Sequence, residues 1–270
     1  MYMKMKNKEI LTQQDYIKEH KKNKLIVRLL QVSLVILLFA AWEVLATIGI
    51  LDEFLISKPS AIIRLLIKYV KTKEIFTHVG VSLYETLLGL VIGTTLGIGI
   101  AILLWFSKTL TKVFDPFLVV LNALPKTALA PILIIWAGTG IKGIVVVSIS
   151  LSLIMTIISA HNFFINVYEE KIKMLKSFNA SKFQILTKLV LPSNVINLIS
   201  IIKINIGMAW VGVIVGEFLV SRFGIGYLVV YGGQVFKLDL VMMGVFVLAI
   251  LAYLMYLIVA LFERYFKKKR

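Results

Sequence analysis

Lys126 stands between two prolines, Pro125 and Pro131, in a largely apolar stretch from Val113 to Trp136. An ammonium at membrane depth is costly unless it faces protein or water. Two readings follow for Lys126, with Asn122 and Pro125 beside it. Either it meets an anionic group of a substrate, or it pairs with a carboxylate and fixes packing. Glu217 ends an uncharged run from Ile204 to Gly216; it is read as a partner for Arg222 or as the cap of a helix end. Trp210, in the same run, and Glu217 itself are also read as candidate linings of a solute path. Glu43 and Glu85 fall near the ends of apolar runs, where solvation at an interface is expected. His161 has no second His, Cys or carboxylate at ligand spacing, so it is read as a packing or interface residue, and no metal site is expected.

The chain has no cysteine, which excludes disulfides, thiolate metal sites and thiol nucleophiles. It shows no glycine-rich phosphate loop ending in Lys-Ser or Lys-Thr and no nucleophile–base set. No cofactor is expected, and the chain is read as a non-enzyme that leaves ATP chemistry to another polypeptide.

The elements that must position these residues are membrane spans. Of 270 residues 59% are hydrophobic, only 16% are charged, and mean hydropathy is +0.92. Charge-free stretches cover 86–107, 143–168, 204–216 and 240–262, and about 20 apolar residues suffice for a helix to cross a ~30 Å hydrocarbon core. A soluble core does not need so many such runs. Six spans are predicted, at about 28–49, 79–105, 113–136, 141–163, 194–219 and 238–262, giving an all-α polytopic membrane protein. Pro125 and Pro131 are expected to break the third, as is tolerated where a helix lines a cavity. Gly89, Gly93 and Gly97 form the small-xxx-small pattern of close helix packing, and Trp42, Trp105 and Trp136 fall near span ends, as in aromatic belts.

A net charge of +16 in a soluble protein would suggest nucleic acid; here it reports orientation, and no nucleic-acid partner is expected. Lys and Arg gather in the first 28 residues, in 171–203 and in 264–270, which puts both termini in the cytoplasm of an inner-membrane protein. Residues 1–27 are read as a basic cytoplasmic extension, 28–265 as the membrane domain and 266–270 as a basic tail. Ser57-Lys58-Pro59-Ser60 opens a segment in which Arg64, Lys68 and Lys71 share one helical face, expected to lie on the membrane surface.

Between the fourth and fifth spans lies the most informative segment, 166–193. Ile172, Leu175 and Phe178 recur at helical spacing, with lysines between them. Asn179 then interrupts, a residue that tolerates the left-handed conformation at a helix end, and Ser181 can cap a second helix. Phe183, Leu186, Leu189 and Val190 continue an apolar face to Pro192. Helix, turn, helix and re-entry is the expected order. Such a pair either docks into a partner's groove or only touches lipid.

The loop resembles the coupling loop of binding-protein-dependent ABC permeases, in which a Glu-Ala-Ala triplet, a glycine, an isoleucine and a Leu-Pro pair recur at fixed spacing. Leu191-Pro192 matches the last pair and Leu189 falls at the isoleucine. Asn179, followed by Ala180, falls at the glycine, and Lys173, Met174 and Leu175 fall at the triplet. The acidic residue, both alanines and the glycine are replaced. The stretches Asn122–Pro131 with Trp136–Gly140, Gly207–Trp210 through Glu217, and Ser221–Tyr227 are similar to the nitrate/sulfonate/taurine subfamily. The resemblance implies a type I importer permease with a cytoplasmic coupling helix pair, carrying a small anionic or small organic solute. It further implies a cytoplasmic ATPase, an extracytoplasmic solute-binding protein, a second copy of the chain and surrounding membrane lipid. A stand-alone secondary transporter or channel is the alternative; a gradient-driven carrier is expected to show inverted repeats, and none is visible.

Overall fold

A computed structural model describes residues 13–268 of the chain. Lys4, Lys6, Lys8, Lys269 and Arg270 of the basic ends lie outside the described residues. Everything regular among those described is helix, as apolar runs in lipid demand, because a helix satisfies its own backbone. Among the described residues five helices are long and apolar enough to cross a membrane: His20–Thr47, Glu74–Phe106, Ile141–Ile165, Lys182–Val220 and Leu238–Lys267.

The chain divides into two compact units, 1–63 and 64–270. In the first, α1 (Gln13–Thr47) runs unbroken past residue 28 and is followed by the short α2 (Glu53–Ile56). Helix α3 (Pro59–Lys71) begins here with a proline at its first turn, where no backbone donor is needed. Glu43 of α1 accepts the Ser60 backbone N–H at 3.0 Å and the Ser60 hydroxyl at 2.7 Å, and the Trp42 indole donates to the Ser57 carbonyl at 3.2 Å. Glu43 is thus a helix cap and not a solvated interfacial carboxylate.

The second unit is built around α7 (Ile141–Ile165), which lies between α4 (Glu74–Phe106) and the long α10 (Leu191–Val220). Small residues set these distances. A Cβ on Gly89 would sit 2.1 Å from the Ser148 hydroxyl, one on Gly93 2.2 Å from that of Ser152, and one on Gly97 2.6 Å from Thr156. From the other side, a Cβ on Gly212 would meet the Ser148 Cα at 2.4 Å. The glycine stripe therefore does what its spacing predicts, and a second stripe on α10 repeats it. With backbones this close, short polar side chains reach across. Asn205 donates to Thr94 at 2.9 Å and to Thr156 at 2.7 Å, joining three helices at one buried level.

The predicted third span is not one helix. Helix α5 (Lys108–Ala123) stops, 124–129 turns, and α6 (Ala130–Ala137) resumes. Leu124 is extended, as a residue before proline must be. Pro131 falls in the first turn of α6, where its missing N–H costs nothing. Between the fourth and fifth predicted spans lies α8 (Glu169–Ser177). Helix α9 (Lys182–Ile185) then passes through a π-helical turn, Leu186–Val190, directly into α10. The expected separation between the second short helix and the fifth span is therefore absent. Pro192 can neither donate to the ladder nor accept a carbonyl one turn back, and the wider π turn before it accommodates the ring. Helices α11 (Ile225–Gln234) and α12 (Leu238–Lys268) complete the unit.

One further expectation is corrected. Glu85 is only 1% exposed: it lies in the core against Glu217 and is not solvated. Lys203, counted from the sequence among the cytoplasmic charges with no partner assigned, sits inside α10 and binds Glu263 of α12 at 2.5 Å, with Lys267 on the other carboxylate oxygen at 2.7 Å.

Candidate functional site

Two places bring the predicted residues together. The first is the α8–α9 hairpin, whose shape is written in its backbone. Asn179 takes φ 56°, the left-handed conformation that terminates a helix. The Asn179 N–H bonds the Lys176 carbonyl at 2.9 Å and the Ala180 N–H the Leu175 carbonyl at 3.1 Å. This pair of bonds is a Schellman motif, and Leu175 and Ala180 supply the apolar contact that accompanies it. Asparagine therefore fills the role of the glycine it replaces. Ser181 then caps α9 reciprocally: its hydroxyl accepts from the Gln184 N–H at 3.2 Å, and the Gln184 side chain accepts from the Ser181 N–H at 2.8 Å. Gln184 is the partner the sequence reading missed, and its place three residues after Ser181 signals it.

The hairpin has two faces. Ile172, Leu175, Ala180, Leu189 and Leu191 pack on a core of Ala101, Ala160, Phe164, Ile185, Leu186 and Val190, at the ends of α4 and α7. Away from that core Phe178 is 77% exposed, Tyr168 69%, Phe183 65% and Met174 54%. Phe178 and Phe183 thus leave the packed face on which their spacing placed them. Lys173 makes only a surface pair with Glu169, 3.1 Å away, worth about 0.5 kcal/mol or less. Pro192 is exposed.

The second place is the broken third span. Asn122, Lys126 and Thr127 line a cavity of about 160 Å³ with Leu151, Met155 and Met208. The Lys126 ammonium donates to the Asn122 carbonyl at 3.1 Å, and among the described residues no carboxylate pairs with it. Pro125 shapes the turn by accepting the Ala128 N–H at 2.9 Å but does not line the cavity. Trp210 is elsewhere: it is buried with Leu90, Ile206, Ala209 and Met255, between α4, α10 and α12. Glu217 is elsewhere too, 1% exposed at the far end of α10. It accepts from the Ser82 hydroxyl at 2.5 Å and from the Gly226 N–H at 2.6 Å. It therefore caps α11, as one of its readings had it; among the described residues it does not pair with Arg222, and it does not line the Lys126 cavity. His161 contacts Thr111 at 3.3 Å, and no cluster of metal-ligating side chains exists among the described residues.

Residues 93–270 match the model of the binding-protein-dependent transport system inner membrane component family. The chain belongs to that family. The permease is 29% identical over 231 residues to an ABC transporter permease protein of Haemophilus influenzae, covering 85% of this chain and 94% of the relative. It is 27% identical over 234 residues to the aliphatic sulfonates transport permease protein SsuC of Bacillus subtilis, covering 86% and 84%. Identity to the taurine transport system permease protein TauC of Escherichia coli is 23% over 231 residues, covering 84% of each. The fold matches that of a chain in the MetNI methionine ABC transporter, with a TM-score of 0.60 at 16% identity, covering 68% of this chain and 92% of that one. The permease is thus the membrane-spanning subunit of an ABC importer, which sets aside the stand-alone carrier.

Proposed function

We propose that this permease moves a small organic anion, of the sulfonate class, across the cytoplasmic membrane, and that a separate ATPase drives it through the α8–α9 hairpin. The observation that carries the coupling is the two-faced hairpin. One side is locked into the ends of α4 and α7 by buried aliphatic contacts, while Tyr168, Met174, Phe178 and Phe183 stand out from the other. Exposed aromatic and methionine side chains on a braced element suit a partner groove. Force applied there reaches α10 through a continuous helix, since no flexible link separates Lys182 from Val220. The partner ATPase hydrolyses the ATP, an extracytoplasmic binding protein supplies solute, and a second copy completes the pathway. Both termini lie in the cytoplasm, α5, the turn and α6 form the sixth crossing, and residues 1–27 and 266–270 are basic extensions of the membrane domain.

The solute class rests on Lys126 and on the relatives named for aliphatic sulfonates and taurine. Lys126 offers an ammonium whose partner among the described residues is a carbonyl, on a cavity whose other walls are Asn122, Thr127, Leu151, Met155 and Met208. That combination suits an anionic head on a short apolar body.

Replacing Tyr168, Phe178 and Phe183 together by Ser tests the docking. The variant is expected to insert and fold like the parent, because none of the three is buried, yet to lose the copurifying ATPase; retained copurification overturns docking at this face. For the solute, Lys126→Gln is expected to abolish taurine- or alkylsulfonate-dependent uptake in reconstituted complexes while leaving assembly intact.

A further inference from the structure

The sequence places three cations on α3 that the transport reading does not use. At about 100° per residue, the 13 residues of this helix divide into three sectors. Ile62, Leu65, Leu66 and Tyr69 form one; Ile62 is 5% exposed and the other three are half-buried. To one side runs an apolar stripe of Ile63, Ile67 and Val70, which are 57%, 49% and 44% exposed. Beyond it Arg64, Lys68 and Lys71 form a basic stripe, all exposed, and among the described residues no carboxylate pairs with any of them. Helix α3 itself contains no acidic residue.

Its setting narrows what can cover this surface. At about 1.5 Å per residue the helix is too short to cross a bilayer, yet it lies in sequence between two helices that are long enough, α1 and α4. Glu43, near the end of α1, holds its first turn through Ser60, so α3 starts where the chain leaves the hydrocarbon. A helix held at that level, with an aliphatic stripe beside a lysine–arginine stripe, has the composition of one lying in the interface plane. The long basic side chains then reach outward along the plane at headgroup depth. The ligand chemistry that complements both stripes at once is a phosphodiester attached to acyl chains.

We propose that α3 is a binding face for anionic phospholipid headgroups, with Arg64, Lys68 and Lys71 on the phosphodiesters and Ile63, Ile67 and Val70 in the acyl boundary. This rests on the chain's being a membrane protein and on no assignment of solute or ATPase. A protein partner would be drawn by the basic stripe alone and would cover the aliphatic stripe or leave it in water.

The test uses the purified full chain. Native mass spectrometry after exchange into mixed phosphatidylglycerol and phosphatidylcholine is expected to show preferential retention of phosphatidylglycerol. In R64Q/K68Q/K71Q that preference falls by roughly fivefold per cation removed, while R64K/K68R/K71R keeps it. An unchanged preference in the Gln variant overturns the proposal. So does a Gln variant that loses association with the solute-binding protein at unchanged lipid preference, which would make α3 a protein-docking face. Should the triple variant not fold, Ile67→Trp in vesicles of brominated phosphatidylglycerol decides the question. Its fluorescence is expected to be quenched, and a residue left unquenched, as in water, refutes the surface-lying helix.

Discussion

The two ends of α10 carry two turns that each launch a helix, and they are held by opposite means. At one end, residues 178–181 turn by rules that the local chain supplies: Asn179 in the left-handed region, two backbone bonds of a Schellman motif and the Ser181–Gln184 box. At the other end, residues 221–226 are held by a carboxylate from the last turn of α10 and by α4 side chains that lie 143 and 146 residues away. Glu217 binds the Gly226 N–H, Ser82 of α4 accepts the Ile225 N–H at 2.8 Å, and the Gly224 carbonyl and His78 Nδ1 stand 3.0 Å apart. The first turn leaves Phe178 in the open, although Ala180 packs on the core and the Ser181 hydroxyl caps α9. The second spends a buried carboxylate on its own backbone. A turn that must present a surface is best fixed by its own backbone, because an outward side chain such as that of Phe178 is then not needed to hold it.

The sharpest way to break this contrast is Gly224→Ala. The added Cβ would lie 2.3 Å from the Glu217 carboxyl group, at φ +108°. A cost of about 2–4 kcal/mol is expected, read as early unfolding in mixed SDS–detergent micelles. Removing the carboxylate itself comes next. Glu217→Ala leaves the Gly226 N–H and the Ser82 hydroxyl buried without an acceptor, at about 2–3 kcal/mol. Glu217→Gln keeps a carbonyl and is expected to recover most of that in the same assay.

At the Asn179 turn the effects should be smaller and should follow propensity. Asn179→Val, which resists positive φ, is expected to cost about 1–2 kcal/mol, whereas Asn179→Gly is neutral or slightly stabilising. Proteolysis of the hairpin in the folded protein would read the difference. A Gly variant as damaged as the Val variant would show that the Asn side chain, and not its backbone, matters there. Ser181→Ala should cost about 1 kcal/mol. The smallest expected effect is Lys173→Ala at about 0.5 kcal/mol or less, so any large loss of ATPase coupling in that variant would reflect contact with the partner.

Where a feature depended on neighbours in the chain, it was legible before the structure. The prolines at 125 and 131 broke the third span as their missing donors require. Gly89, Gly93 and Gly97 met Ser148, Ser152 and Thr156 as their spacing implied, and Asn179 and Ser181 ended one helix and began the next. Features that depend on distant residues were misread. Glu85 looked like an interfacial carboxylate because nothing local shows that Glu217 lies against it. Lys203 counted only as one of the basic residues of 171–203, because its partner, Glu263, belongs to the last helix. Phe178 and Phe183 kept the period of a packed face but stand in the open, since the hairpin's inward side is already filled by Ile172, Leu175 and Ile185.

The sequence by itself determined that this chain lives in a bilayer, that its spans are helices, where a proline-bounded break falls and how the α8–α9 hairpin turns. Each of these follows from apolar run length, missing donors or local backbone preference, all of which act over a few residues. Only the tertiary structure decided which polar groups inside the spans meet. Asn205 with Thr94 and Thr156, and Glu217 with Ser82 and Gly226, depend on how closely the glycines of α4 and α10 let those helices approach their neighbours. That approach is set by packing across the bundle and not by any one segment.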